Sequence, residues 1–224
     1  MNWHMAKRMG VVLAVALLAA CEDNGGDTEK PDGGGGGGKE ASAGPGLGSS
    51  TAQPEGAPFT LPAGLTLETP IKSYSPEDPV DCDNKFRNEG KGSGEDVTLC
   101  LIFNNTTGGP ITLTLPPGLI FVSKDGDIQN GLLAQRVTIE VPAGGRFFVP
   151  MFTYCANQPR STSGIGQAYA LGPVIEYPAF KEMYSLLEGK TLERPDVAPI
   201  QVAVSHLTSG EGLSASDRAA LKAL

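Results

Sequence analysis

Histidine is almost missing from this chain of 224 residues: there are two, His4 and His206, so a multi-histidine metal site cannot be assembled. Basic residues are outnumbered, 17 Lys and Arg against 25 Asp and Glu, which leaves a net charge of −8 and a pI near 4.8. A nucleic-acid binder needs a clustered basic surface to displace counterions, and this composition argues against one. There is no phosphate-cradling P-loop and no Gly-x-Ser-x-Gly elbow, which removes the commonest nucleotide and ester chemistries. Pairs of acids at Asp81/Asp83 and Asp125/Asp127 lack the loop motif that would gather six or more oxygens around Ca²⁺, so they read as solvated turns. No metal and no cofactor is expected.

Long apolar runs are scarce too. The one that stands out, Gly10–Ala20, follows a basic stretch holding Lys7 and Arg8 and is too short to remain as a membrane-spanning helix. It ends in Leu18-Ala19-Ala20-Cys21. This order of basic region, apolar core, small residues and Cys resembles the lipobox of bacterial lipoproteins. The resemblance implies cleavage of residues 1–20 and lipid on Cys21, with several acyl chains worth roughly 0.8 kcal/mol for each buried CH₂. Loss of Lys7 and Arg8 would take the formal charge from −8 to −10. Glu22, not the Asp that marks inner-membrane retention in those families, follows Cys21, so an outer-membrane or cell-surface location is expected.

Residues 21–58 are Gly-rich, with six consecutive glycines at Gly33–Gly38, and hold almost nothing large and apolar. Ordering them would cost entropy with little burial in return, so they read as a disordered tether with a reach of roughly 30–35 Å. From Phe59 the texture changes. Val97–Phe103 reads as a buried strand, and Ile111–Leu115 and Val137–Val141 alternate with period two. Leu119–Val122 and Arg146–Tyr154 add two more, Pro150 marking the latter as an edge or a bulge. Short strands with Gly/Pro punctuation predict a mainly β fold, a β-sandwich, over residues 59–160. Beyond Cys155 the period becomes 3.6, and two or three α-helices, within Tyr177–Lys190, Val197–Ser209 and Asp217–Leu224, are expected to pack on the sandwich as the helical part (161–224) of the same module.

With Cys21 lipidated, Cys82, Cys100 and Cys155 remain. An exported chain can pair two of them. Cys82–Cys100 is favoured because it closes a polar, Gly-rich segment; Cys100–Cys155 is the rival. Cys155 lies in Met151-Phe-Thr-Tyr-Cys-Ala-Asn157, and Ile200-Gln-Val-Ala-Val-Ser-His-Leu-Thr208 follows downstream. Tyr154-Cys155 and Gln201-Val202-Ala203-Val204 with Thr208 resemble the aromatic-Cys and Gln-x-Ala motifs of the thioester domains of bacterial surface adhesins. Ser205 stands where that family carries Trp. The resemblance covers about 60 residues and implies that the Cys155 thiol attacks the Gln201 amide, expels ammonia and leaves an internal thioester. Such a bond would capture an amine or hydroxyl on a protein or glycan partner. The residues alone also allow a buried Cys155 with a solvated Gln201, as in an accessory envelope lipoprotein, or a Cys155–His206 hydrolase pair. A membrane-tethered, non-enzymatic binding or adhesion module is the leading expectation.

Overall fold

The computed structural model describes residues 42–224 except residues 76, 79–81, 83–89, 159 and 194–195. The leader, Cys21, residues 22–41 of the tether, and Asp81 and Asp83 lie outside the described residues.

Among the described residues ten strands and three helices follow one another. The strands are β1 (Leu65–Leu67), β2 (Ile71–Ser73), β3 (Lys91–Gly92), β4 (Val97–Asn105), β5 (Ile111–Leu115), β6 (Leu119–Ser123), β7 (Gly131–Leu132), β8 (Val137–Val141), β9 (Arg146–Cys155) and β10 (Ala168–Val174). The helices are α1 (Pro178–Leu187), α2 (Val197–Thr208) and α3 (Ala215–Ala223). Strands pair in the order β4-β2-β10-β6-β7-β9, and β9 returns to β4, closing a six-stranded barrel; β1 and β3 are additional, and β5 and β8 form a separate ribbon.

The expected β-sandwich is therefore incorrect. Two long strands turn the sheet on itself. β4 pairs with β9 from Val97↔Thr153 to Asn104↔Arg146 along one side, and shares its other side between β1 and β2. β9 in turn divides its far side between β3 and β7. The register turns the Pro150 nitrogen to that far side, before the first residue that β3 pairs, so no rung is lost there. Closure removes the exposed edges that a sandwich would have to protect.

Period-two alternation sorts the barrel wall. Leu99, Leu101, Phe103, Val149, Met151 and Cys155 point into the barrel core, which the ribbon completes with Leu113, Leu115, Ile139 and Val141. The outward residues Ile120, Leu132 and Tyr154 meet Phe180, Met183, Ile200, Val204 and Leu207 of the helices. Each fully buried Leu, Ile or Phe contributes roughly 1.5–3 kcal/mol. On another outer face Tyr74, Cys82 and Cys100 pack with Phe148 and Phe152. There Cys82 and Cys100 form a disulfide, S–S 2.05 Å and Cα–Cα 5.4 Å.

The helices are locked to one another by polar contacts. Arg218 grips Glu182 with two bonds of 2.6 and 2.9 Å, joining α3 to α1. Ser214 and Asp217 form a reciprocal capping box at the start of α3, and Asp217 also meets His206 Nδ1 of α2 at 2.9 Å.

Residues 42–57, read by composition as tether, are laid against the module. Leu47 is wholly buried in the helical core, and Ala57 bridges to Val174.

Candidate functional site

The candidate site forms where β9 ends. Antiparallel register alternates the backbone groups of a strand between its two neighbours. Ala156 donates to Asn130 O at 3.0 Å, next to β7, so the N–H and C=O of Cys155 face the opposite way, toward β4. But β4 begins at Val97, opposite Thr153, and supplies no rung for Cys155. Gln201 of α2 fills the gap. Its Oε1 accepts from Cys155 N–H at 2.9 Å, and its Nε2 donates to Cys155 O at 3.1 Å. A side-chain amide thus stands where the next peptide of a strand would, between residues 46 apart in sequence.

Both partners are shielded from water. Cys155 is 1% exposed and Gln201 4%, and Cys155 carries no disulfide. Helical periodicity brings Ile200, Ala203, Val204 and Leu207 into the core and leaves Gln201 buried at its margin. His206 lies five residues on, about 140° around the helix axis, and points to Asp217 of α3; the described contacts of His206 do not include Cys155.

The side chain of Cys155 faces the barrel interior, and Asp96 stands one residue before β4. Burial raises Asp96 above the usual carboxylate range, the adjacent Glu95 charge adds to the rise, and the Cys155 hydrogen bond offsets part of it. Asp96 also holds Ser163, whose N–H and hydroxyl donate to Asp96 O at 3.2 and 3.1 Å. Tyr169, in the same barrel core, is fully buried. Its hydroxyl has no partner within ordinary hydrogen-bond length among the described residues. Burial pushes its pKa up, with Cys155 adding to the shift and Ser163 moderating it. An open depression of about 270 Å³, lined by Glu95, Asp96, Thr98, Ser163 and Ile165 among others, leads from solvent to Asp96.

The strap at residues 42–50 holds the strand end and the helix together. Gly48 N–H donates to Ala156 O at 2.9 Å, and Asn157 Nδ2 donates to Gly46 O at 2.8 Å. Ala43 N–H donates to Thr208 O of α2 at 2.8 Å. Gly46 has φ +68°, and a Cβ there would lie 2.5 Å from Pro54, so the turn that aims its carbonyl at two buried amides needs glycine. Asn130 supplies the other of those amides and also ties back to Ser123. Gly131, opposite Cys155, is required for closeness: a Cβ would fall 2.3 Å from Thr153 Oγ1.

Of the residues singled out from sequence, Cys155 and Gln201 are brought together, Cys82 and Cys100 are brought together elsewhere, and His206 is turned aside. Cys21 lies outside the described residues. Asp125 and Asp127 make an ordinary turn, Asp127 N–H donating to Asp125 Oδ1 at 3.0 Å, and no cluster able to hold a metal ion occurs among the described residues. Sequence reasoning missed Asp96, Tyr169 and the strap. No family model matches the chain, and neither the curated proteins nor the solved structures contain a match.

Proposed function

We propose that this chain is a lipoprotein of the cell envelope, exported and fastened through Cys21, whose module acts at the cell surface as a non-enzymatic binding or adhesion unit. In this reading the unit attaches covalently to a protein or glycan partner through a thioester between Cys155 and Gln201. The thiol sulfur adds to the Gln201 amide carbon, the C–N bond breaks, and ammonia leaves carrying the thiol proton. An amine or hydroxyl of the partner later displaces the thiolate. The observation that supports this is the buried two-point contact of the Gln201 amide with Cys155. It holds both groups in one dry place, with the Cys155 N–H directed at Oε1, the oxygen on which negative charge would develop.

A second reading has its own support. The same two bonds complete a strand that has run out of neighbours, as they would in a structural or accessory envelope lipoprotein with no reactive bond. Mass spectrometry of the full chain, digested after purification from membranes, separates the two. The covalent reading expects acylated Cys21 and a cross-linked Cys155–Gln201 peptide pair lighter than its unlinked sum by one ammonia, about 17 Da. Separate peptides, with Cys155 alkylated freely after unfolding, would leave the accessory role.

A further inference from the structure

We propose that the groove between the end of α1 and the link from β7 to β8 binds an acidic sugar chain, a uronic-acid oligosaccharide, without a covalent bond. Neither Cys155 nor Gln201 lines this groove, and the proposal stands whether or not a thioester forms.

The groove is made by the way α1 stops. The last carbonyls of a helix have no partner within it. Gln135, on the β7–β8 link, holds the end of α1 through Leu187 O at 2.6 Å and the chain just past it through Lys190 O at 3.2 Å, both bonds donated by its Nε2. Gly189, with φ +73°, turns the chain back between them, and Lys190 Nζ donates to Lys222 O in the last turn of α3 at 3.2 Å. Between these elements lies a cavity of about 580 Å³, within the range of about 300–1,000 Å³ that small-ligand sites occupy. Pro117, Tyr184 and Leu187 give it an apolar wall, and Arg136, Lys190 and Glu188 bring charge to it. Through Gln135 and Arg136, which line both, it runs on into a smaller depression of about 230 Å³ that Lys91 also lines.

The charge in the groove runs against that of the chain, which is −8 overall. Elsewhere Arg146, Lys181 and Arg218 each sit on a carboxylate. Arg136, Lys190 and Lys91 do not: among the described residues no acid pairs with any of them. Three cations left without counter-charge along one continuous groove make a local field for an anion on an otherwise acidic surface. The planar fork of Arg136 matches a carboxylate with two parallel bonds. The groove also holds acceptors. Gln135 spends its Nε2 on the backbone but keeps Oε1 open among the described residues, and the Glu188 carboxylate is likewise open to a donor. A uronic acid unites what these groups ask for: a carboxylate for the cations, hydroxyls for Gln135 and Glu188, and a C–H face for the apolar wall. A run of Asp or Glu in a peptide brings carboxylates that Glu188 repels and no hydroxyl for it to bind.

The test is calorimetric titration of the full chain with tetrasaccharides of galacturonate, of mannuronate and of alternating glucuronate and N-acetylglucosamine. Each is set against its methyl ester, which keeps the hydroxyls and loses the charge, and against a poly-glutamate peptide of equal charge. At least one acid form is expected to bind with a Kd below about 1 mM, more weakly as ionic strength rises, and its ester at least about tenfold more weakly. Arg136→Ala and Lys190→Ala should each weaken binding by about 10–100-fold, the usual worth of a charge-assisted hydrogen bond. Arg136 is exposed and bears no contact of the fold, so its replacement leaves the thermal melt in place. Lys124→Ala, an exposed lysine outside the groove, should bind as the wild type does, and so should Cys155→Ser. Failure of all three acid series to bind overturns the proposal, as does an ester that binds as tightly as its acid. Poly-glutamate binding as tightly as the sugars, or a loss in Lys124→Ala equal to that in Arg136→Ala, overturns it too, the first by making the ligand a peptide and the second by making the attraction general. Loss of binding in Cys155→Ser would move the site to the strand end and overturn the assignment to this groove.

Discussion

Gln201 can be weighed as a structural part independently of any covalent chemistry. In a Cys155→Ser background, which keeps the backbone of residue 155 and removes the thiol, Gln201→Ala deletes both partners of the last rung of β9. A buried N–H or C=O left without a partner costs about 1–3 kcal/mol. Two such groups therefore cost roughly 2–6 kcal/mol, toward the lower end where water enters the space the side chain leaves. For a domain of this size 1 kcal/mol shifts Tm by about 2–4 °C, so a fall of at least about 4 °C is expected. Hydrogen exchange read by mass spectrometry gives the local counterpart: the residue-155 amide, slow in the parent, exchanges orders of magnitude faster in the double variant. A Tm lowered by less than about 1 °C together with an amide still protected would refute the idea that Gln201 stands in for a missing strand.

Two further outcomes follow from named contacts. Reducing Cys82–Cys100, or replacing both by Ser, opens a loop of 18 residues and should cost roughly 3 kcal/mol, seen as a lower urea midpoint; an unchanged midpoint would show that loop to be held by other means. The second concerns pH. Burial works to raise the Asp217 carboxyl, but the bonds from His206 and from the Ser214 backbone and hydroxyl outweigh it and hold it below the usual range. A depressed folded value means that its stabilisation is present above the unfolded value of about 3.9 and is lost as pH falls through the folded one. The urea midpoint should therefore decline below about pH 4, and less steeply in Asp217→Asn; identical slopes for the two proteins would count against the Asp217 lock.

How much of this was visible in the residues depends on the kind of force that places them. Strands β4, β5, β6, β8 and β9 and all three helices were legible because each buries a periodic apolar face. Barrel closure was not, since it depends on β2 with three residues, β7 with two, and β10, whose Gly172 and Pro173 break the pattern. Strands that short carry no period to read. The strap was invisible for a related reason: apart from Leu47 and Ala43 it docks through backbone groups that meet the amides of Asn130 and Asn157 and the Arg160 guanidinium, and composition registers none of these. At the site, Cys155 and Gln201 were singled out by motif. Asp96 lies in an acidic, Gly-rich stretch that looks like a solvated loop, and its partial burial comes from Ser163, a residue far along the chain.

The strap also decides how the molecule carries load. Tension applied at the first described residues, Ser42 and Ala43, is met where Ala43 hangs on the last residue of α2. It then reaches Gly46 and Gly48, which hang on the two residues just past Cys155. A ligand bound at the junction of β9 and α2 would therefore share a short mechanical path with any load applied at Ser42. The barrel staves and the disulfide face would stay largely outside that path, much as the hull of a boat is spared when mooring line and cleat are fixed to the same plank.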